Sequence, residues 1–470
     1  MTYYFRWAIL LFALTTTISS CKDDDPAPKE PEDFVDEEIQ TINKFVLDNM
    51  DFVYYWHDKM PDLDYRKEED TFVMFDKLLA ASYDSNLERN IDGWSFLTDD
   101  YPALLDYFSG VRKTMGHSIR LFRLYSDKND LIGFIEYVEP NSPAEQAGLQ
   151  RGDMFYKIDD QILSIDNYSS LLNKESYKLT LGSLNSDFSI TAITPSINLT
   201  SVELTTNPIH LSKIIEHNGS KIGYLMYKSF IHDYNDQLET VFANFKNEGV
   251  DNLVLDLRYN GGGSVASAIL LGSMIAPSSA EGEVFIRTAY NKNLEQYFTK
   301  EYPNDPDLFI DRIEKNTNNL NLDRLVVLST YKTASASEMI IYGLSPHMTV
   351  HHIGEQTHGK YYGSITVNDQ DKKHDWAIQP IVMRAENKDN SIDYTVGLLP
   401  DVERVDFLDA VEFYPLGDPK EDFLAQALLY LTGQSPIANQ LKSKPLPFKP
   451  INQEYKLEHP LQFDMQYQLK

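Results

Sequence analysis

The stretch from Arg324 to Lys360, RLVVLSTYKTASASEMIIYGLSPHMTVHHIGEQTHGK, constrains the fold more than any other part of the chain. Leu325 to Leu328 is a short apolar, β-branched run that reads as a buried strand. Thr333, Ala334, Ser335 and Ala336 are small and allow a sharp turn. Glu338 to Leu344 then reads as a helix, with Pro346 just beyond its end. The serines therefore sit where a strand passes into a helix N-terminus, whose unpaired N–H groups favour developing negative charge. A serine hydroxyl needs a base to act as a nucleophile. His347, His351, His352, His358 and Lys360 are the nearest candidates, and spacing alone does not choose among them.

TASASE followed by GEQTHGK resembles the signature of the S41 peptidases, the tail-specific or C-terminal processing proteases. That resemblance implies a nucleophile at the first serine of SASE and a base at the lysine of the downstream GK pair. The family separates them by 25 positions, as Ser335 and Lys360 are separated here. Ser337 is 23 positions from Lys360 and reads as a helix-start residue.

Leu253 to Gly263, LVLDLRYNGGG, is a strand running into a glycine-rich turn. No Gly-Lys-Ser/Thr follows, so it is not read as a phosphate loop. It resembles the S41 DLR-N-N-P-G-G element, with Tyr259 and Gly261 in place of an asparagine and the proline. The resemblance implies an oxyanion hole formed by the backbone N–H groups of Gly262 and Ala336. Gly397-Leu-Leu-Pro-Asp401 resembles the G-I-x-P-D element that closes the S41 core. One departure stands out: the family usually reads GKGxxQ, with a glutamine that orients the lysine. Here Ser364 occupies that position, and Gln370 and Gln379 are the possible substitutes.

Glu139 to Asp153, EPNSPAEQAGLQRGD, has a Ser142 cap, Pro143 at the first helical position and Gly148 at the end. It resembles the helix and following strand of bacterial PDZ domains, which add an extended peptide to a sheet edge and hold its terminal carboxylate in a loop. Gly116, His117, Ser118 and Ile119 fall where that loop is expected, without the usual Gly-Φ-Gly-Φ form.

The expected architecture is therefore α/β and multidomain. A small N-terminal helical domain spans 37–108, where Ile39, Ile42, Phe45 and Val46, then Phe72, Phe75, Leu78 and Leu79, recur at helical spacing. Trp56, Trp94 and Phe96 are read as its small core. A β-rich PDZ domain follows at 109–200, and an α/β S41 core of the Clp-protease/crotonase type at 208–436. Residues 276–319 are read as an insertion near the site, and 437–470 as an extension without a motif.

At 470 residues, with 42% hydrophobic content, the chain has enough material for two or three cores. A net charge of −29 argues against nucleic acid, because phosphate binding needs a basic surface. Residues 1–21 hold Arg6, an apolar run from Trp7 to Leu14 and small residues up to the single cysteine, Cys21. That pattern is a secretory signal, and Ile18-Ser-Ser-Cys21 resembles a bacterial lipobox, which implies lipidation of Cys21. The acidic, proline-rich 22–36 reads as a disordered tether. Asp23 to Asp25 resemble the export signals of surface lipoproteins. The expected location is the outer membrane of a Gram-negative bacterium, periplasmic-facing or surface-exposed, through a lipid anchor. His351, His352 and His358 have no paired carboxylate at ligand spacing, so no metal is expected, and no cofactor.

The resemblance implies a Ser/Lys dyad, with Ser335 attacking and a neutral Lys360 accepting the proton. A lysine near its reference pKa of about 10.4 is a poor base at neutral pH, so burial must lower it. The expected partners are polypeptides, with C-terminal tails recognised through the PDZ domain. The alternative is a catalytically degenerate surface lipoprotein that binds peptides or protein partners.

Overall fold

The structure, a computed structural model, describes residues 34–85, 89–124, 129–185, 187, 189–389, 394–409, 412–436, 448–451 and 465–466. The signal segment, Cys21 and most of the tether lie outside the described residues.

The core is a six-stranded sheet in the order Ile209–His217, Ser220–Tyr227, Asn252–Asp256, Arg324–Ser329, Thr349–Gly354 and Val402–Glu403. Only the first pair is antiparallel. Leu253, Val254, Leu255 and Leu325 to Leu328 are fully buried, as expected for parallel strands covered on both faces. Helices Val265–Ile275 and Ala336–Leu344 pack with the main apolar cluster, while Asp422–Thr432 packs with the separate cluster that holds Val254 and Val326. Helix Asn235–Asn247 adds Leu238, Phe242 and Phe245 to the main cluster.

A second six-stranded sheet runs Gly263–Ser264, Met465–Gln466, Tyr362–Ser364, Ile381–Glu386, Val284–Tyr290 and Ile310–Arg312. Residues 276–319, read as an insertion near the site, contribute Val284–Tyr290 and Ile310–Arg312 to this sheet. Val284–Tyr290 pairs with Ile381–Glu386, and its Phe285 is fully buried in the main core.

The PDZ unit centres on strands His117–Arg123, Leu131–Val138, Met154–Ile158 and Ser176–Leu184, with helices Pro143–Gln146 and Tyr168–Leu172. The Ser142 hydroxyl accepts the Glu145 N–H at 3.1 Å, closing the cap that the sequence signals. Buried ion pairs fasten this unit to the core. Arg120 meets Glu355 through two 2.6 Å bonds. Arg151 reaches Asp406 at 2.6 Å, Lys332 reaches Glu136 at 2.5 Å, and Lys228 pairs with Glu139. Removing one partner of such a pair costs about 3–5 kcal/mol, because the other charge is left buried.

The N-terminal unit differs from the expectation of a separate helical core. It is built on helices Glu37–Val53 and Thr71–Leu79, but Phe96–Thr98 pairs with Ala377–Gln379 of the peptidase unit. Trp56 and Trp94 pack around Tyr362, with ring centroids at 5.1 and 6.1 Å. Trp56 lies in the main apolar cluster with Trp94 packed against it, so this unit shares the peptidase core, while Phe96 joins a small separate cluster with Leu104 and Ala377.

Candidate active site

Ser335 stands immediately before the Ala336–Leu344 helix with φ 62° and ψ −117°. Holding a non-glycine residue there costs on the order of 1–3 kcal/mol and needs fixed neighbours. Glu338 supplies one: its Oε2 accepts the Ser335 N–H at 2.8 Å. The Ser335 hydroxyl is buried and makes no hydrogen bond, so the strain aims an uncommitted oxygen into the site.

The base segment reaches the same carboxyl. Glu338 Oε2 also accepts the Lys360 N–H at 2.8 Å, and Oε1 accepts the Gly359 N–H at 2.7 Å together with the Thr357 hydroxyl. Four donors thus converge on one fully buried carboxyl group. Burial pushes it up to about 7, against the pull of those four donors. The serine and lysine segments also bond directly, His358 N–H to the Thr333 carbonyl at 2.9 Å. Leu398 of the Gly397–Asp401 element closes the far side, its N–H donating to Thr357 Oγ1 at 2.7 Å. Gly359 has φ 93°, and a Cβ there would lie 2.7 Å from the Gly397 nitrogen, so only glycine fits between these segments.

The Lys360 side chain is 1% exposed, with Nζ 5.9 Å from the centre of the Trp94 ring. The Trp94 indole N–H donates to His358 Nε2 at 3.4 Å. The N-terminal unit therefore forms part of the wall around the lysine. Sequence reasoning assigned Trp94 to packing alone, because nothing local to it signals a distant partner. Glu338 did carry a signal: Ser335-x-x-Glu338 is the spacing at which a helix N3 carboxylate reaches back to the cap N–H.

Ser337 donates to the Asn260 carbonyl at 3.0 Å and ties the helix start to the glycine turn. Asn260 also fixes that turn. Its Nδ2 donates to the Tyr227 carbonyl at 2.9 Å, and its Oδ1 accepts the Gly262 N–H at 2.8 Å. In this structure the Gly262 N–H is thus engaged by a side chain. Ala336 begins the helix, where the first N–H groups have no intrahelical acceptor.

Ser364 is buried on the Tyr362–Ser364 strand, and its hydroxyl accepts the Gln379 Nε2 at 3.1 Å. Gln379 is itself buried and held by Thr366 at 2.6 Å, whereas Gln370 is exposed and bonds Asn368. Of the two candidate glutamines, Gln379 is the one that stands beside Ser364. Three of the four candidate histidines point elsewhere: His347 to the Val284 carbonyl, His351 stacked on Tyr430, and His352 to Ser329.

Gly116 makes a turn with φ 83°, and its carbonyl accepts the Glu139 N–H at 2.7 Å. His117 Nε2 bonds the Tyr177 hydroxyl at 2.9 Å, and burial holds His117 down at about 4. Ser118 donates to Glu136 at 2.6 Å, and the Ile119 carbonyl accepts Lys332 Nζ at 2.9 Å. His117, Ser118 and Ile119 line a cavity of about 250 Å³ together with Gly261, Gly262 and Gly263. Lys332 precedes Ser335 by three positions, so the PDZ turn touches the loop that carries the serine.

A strand-to-helix serine joined through one carboxyl to a buried lysine segment, under a docked PDZ unit, defines a PDZ-bearing peptidase class. Comparison with known proteins gives the same answer. The profile for Peptidase family S41 matches residues 221–404, that for a PDZ domain 134–181, and that for the Peptidase S41 N-terminal domain 41–96. The chain belongs to peptidase family S41. It is 24% identical over 390 residues to a carboxyl-terminal-processing protease of Synechocystis sp., covering 81% of each chain. It is 26% identical over 277 residues to the one from Picosynechococcus sp., covering 57% of this chain and 61% of that one. A crystal structure from Bacteroides fragilis, of a protein assigned to the S41 proteases, superposes with a TM-score of 0.64 at 27% identity. That match covers 86% of this chain and 99% of the other.

Proposed function

We propose that this peptidase is a serine endopeptidase in which Ser335 attacks the scissile carbonyl of a polypeptide and Lys360 accepts its proton. Lys360 then returns the proton to the leaving amine, and water releases the acyl group. The observation that carries this reading is the Glu338 carboxyl, which accepts N–H groups from both Ser335 and Lys360 and so registers the two segments. Burial of Lys360 disfavours an ammonium and so works toward a neutral base. The Ser364–Gln379 pair takes the orienting role that a single glutamine plays elsewhere in the family. Ala336 and Gly262 form the oxyanion hole once the Gly262 N–H leaves Asn260 Oδ1 for the substrate. Substrates are polypeptides with accessible C-terminal regions, in line with the names of the relatives, and the PDZ unit recognises or gates them. Labelling with a fluorophosphonate followed by peptide mapping tests the nucleophile. The label is expected on Ser335, and a label on Ser337 would overturn the assignment. Ser337→Ala should still label, losing about 1 kcal/mol of stability with its bond to Asn260.

We also propose that the protein is lipid-anchored at Cys21 in the outer membrane of a Gram-negative bacterium, on the strength of the lipobox and the signal before it. Cys21→Ala should shift the protein from the detergent phase to the aqueous phase, or stall its processing. Unchanged fractionation of that variant would count against the anchor.

A further inference from the structure

Two described pieces of the motif-free stretch 437–470, Phe448–Ile451 and Met465–Gln466, lie at two edges where a polypeptide would bind. At the first, Lys449–Pro450 pairs antiparallel with the His117–Arg123 strand, Lys449 opposite Arg123 and Pro450 opposite Phe122. The Ile451 N–H continues the ladder, donating to the Leu121 carbonyl at 3.1 Å. His117–Arg123 is the strand that leaves the Gly116 turn, and no other strand covers that edge among the described residues. PDZ domains take ligands by adding a strand to such an edge. The added strand runs from Arg123 back toward Gly116, the direction that carries a peptide to the turn. Its side chains are seated too. Phe448 is buried with Phe122 and Phe134, and Ile451 packs on the cluster that includes Leu121, Tyr168 and Leu171.

At the second edge, Met465–Gln466 forms a strand between Gly263–Ser264 and Ser364, parallel to both. Met465 stands opposite Gly263 and Gln466 opposite Ser264, while Gln466 also faces Ser364. Gly263 follows the oxyanion residue Gly262, and Ser364 lies four positions beyond Lys360. On the Ser335–Lys360 reading, these two strand edges flank the path of an extended peptide between serine and lysine. A strand paired on both sides leaves neither edge for a second peptide.

We propose that Phe448–Ile451 and Met465–Gln466 are two contacts of one intramolecular peptide ligand, which fills the PDZ edge and the cleft in cis and which a substrate must displace. The cleft contact rests on the Ser335–Lys360 reading of the site; the PDZ contact does not. A tethered segment competes at an effective concentration in the millimolar range, so it raises the apparent Kd of any free peptide for the same edges.

The test compares the full chain with full-chain Ile451→Asp/Met465→Pro, both carrying Ser335→Ala so that nothing is cleaved. Aspartate disfavours the apolar PDZ seat, and proline removes the Met465 N–H from the ladder. The probe is a fluorescein-labelled synthetic peptide of residues 447–470, read by anisotropy. It should bind the double variant at least tenfold more tightly than the unchanged chain. Met465→Pro alone, which leaves the PDZ contact intact, should give part of that gain, and it guards against misfolding of the double variant. Equal affinity for folded chains, or no binding to either, would overturn the proposal. In chains that keep Ser335, the double variant should hydrolyse a fluorogenic peptide with a KM several-fold lower and kcat unchanged. Hydrolysis with equal KM and equal probe affinity would sink this inference and spare the peptidase reading. An affinity difference without hydrolysis in any chain would do the reverse.

Discussion

Lys360→Arg is expected to fold, to bind peptide at the PDZ edge and to lose hydrolysis by roughly 10²–10⁴-fold, the usual contribution of a positioned acid–base group. Arginine keeps a cation on a long side chain, but its pKa above about 12 denies the site a neutral base at any working pH. Lys360→Met removes the charge at similar volume and should be as inactive, because a thioether accepts no proton. Wild-type activity should rise with pH as the lysine deprotonates, and neither variant should show that limb. Hydrolysis rates across pH 5–9, with circular dichroism to check folding, decide the matter. Retained turnover in Lys360→Arg would move the base to another residue. His358 would be the first to test, since it bonds Trp94 beside the lysine.

The fold was largely legible because its signals are local. Leu325 to Leu328, the small residues after them and the helix to Leu344 occupy adjacent positions, and their burial follows from apolar continuity. The PDZ helix was legible for the same reason, since Ser142, Pro143 and Gly148 form a short-range cap. What escaped is long-range. Nothing near Trp94 announces that it meets a lysine far along the chain, and nothing near Arg120 announces Glu355. The place of Val284–Tyr290 in a sheet escaped because its pairing with Ile381–Glu386 leaves no local trace. The extension at 437–470 read as lacking a motif for a related reason. Two-residue strands such as Lys449–Pro450 and Met465–Gln466 are too short for periodicity and exist only through their partners. Ser364 shows the mixed case: its position after Lys360 was readable, while its partner Gln379, one of two candidates, sits on a strand of a different sheet.

Glu338→Gln should be nearly as damaging to hydrolysis as loss of the lysine, although Glu338 takes no proton from the substrate. A carboxylate has acceptors on both oxygens, and here they meet Thr357 and Gly359 on one and Ser335 and Lys360 on the other. Glutamine must turn an NH₂ toward one of those pairs. Two buried donors then lose their acceptor, at about 1–3 kcal/mol each, and either the serine or the lysine segment is released. The pH dependence separates this positioning role from simple destabilisation. The carboxyl is held up to about 7 in the fold against 4.5 for its ordinary value, so the native state binds the proton more tightly than the unfolded chain does. Its contribution to stability is therefore fully present below about 4.5 and is lost as pH rises through about 7, a change of about 3 kcal/mol. The stability gap between wild type and Glu338→Gln, from urea unfolding, should be widest at acid pH and narrowest above 7. Activity should run the other way, because a protonated carboxyl places its own O–H among four donors, and only the ionised form accepts them all. A gap in stability that stays constant across pH 4.5–8 would show that Glu338 does not titrate in this range, and the opposed trends would then have no common cause.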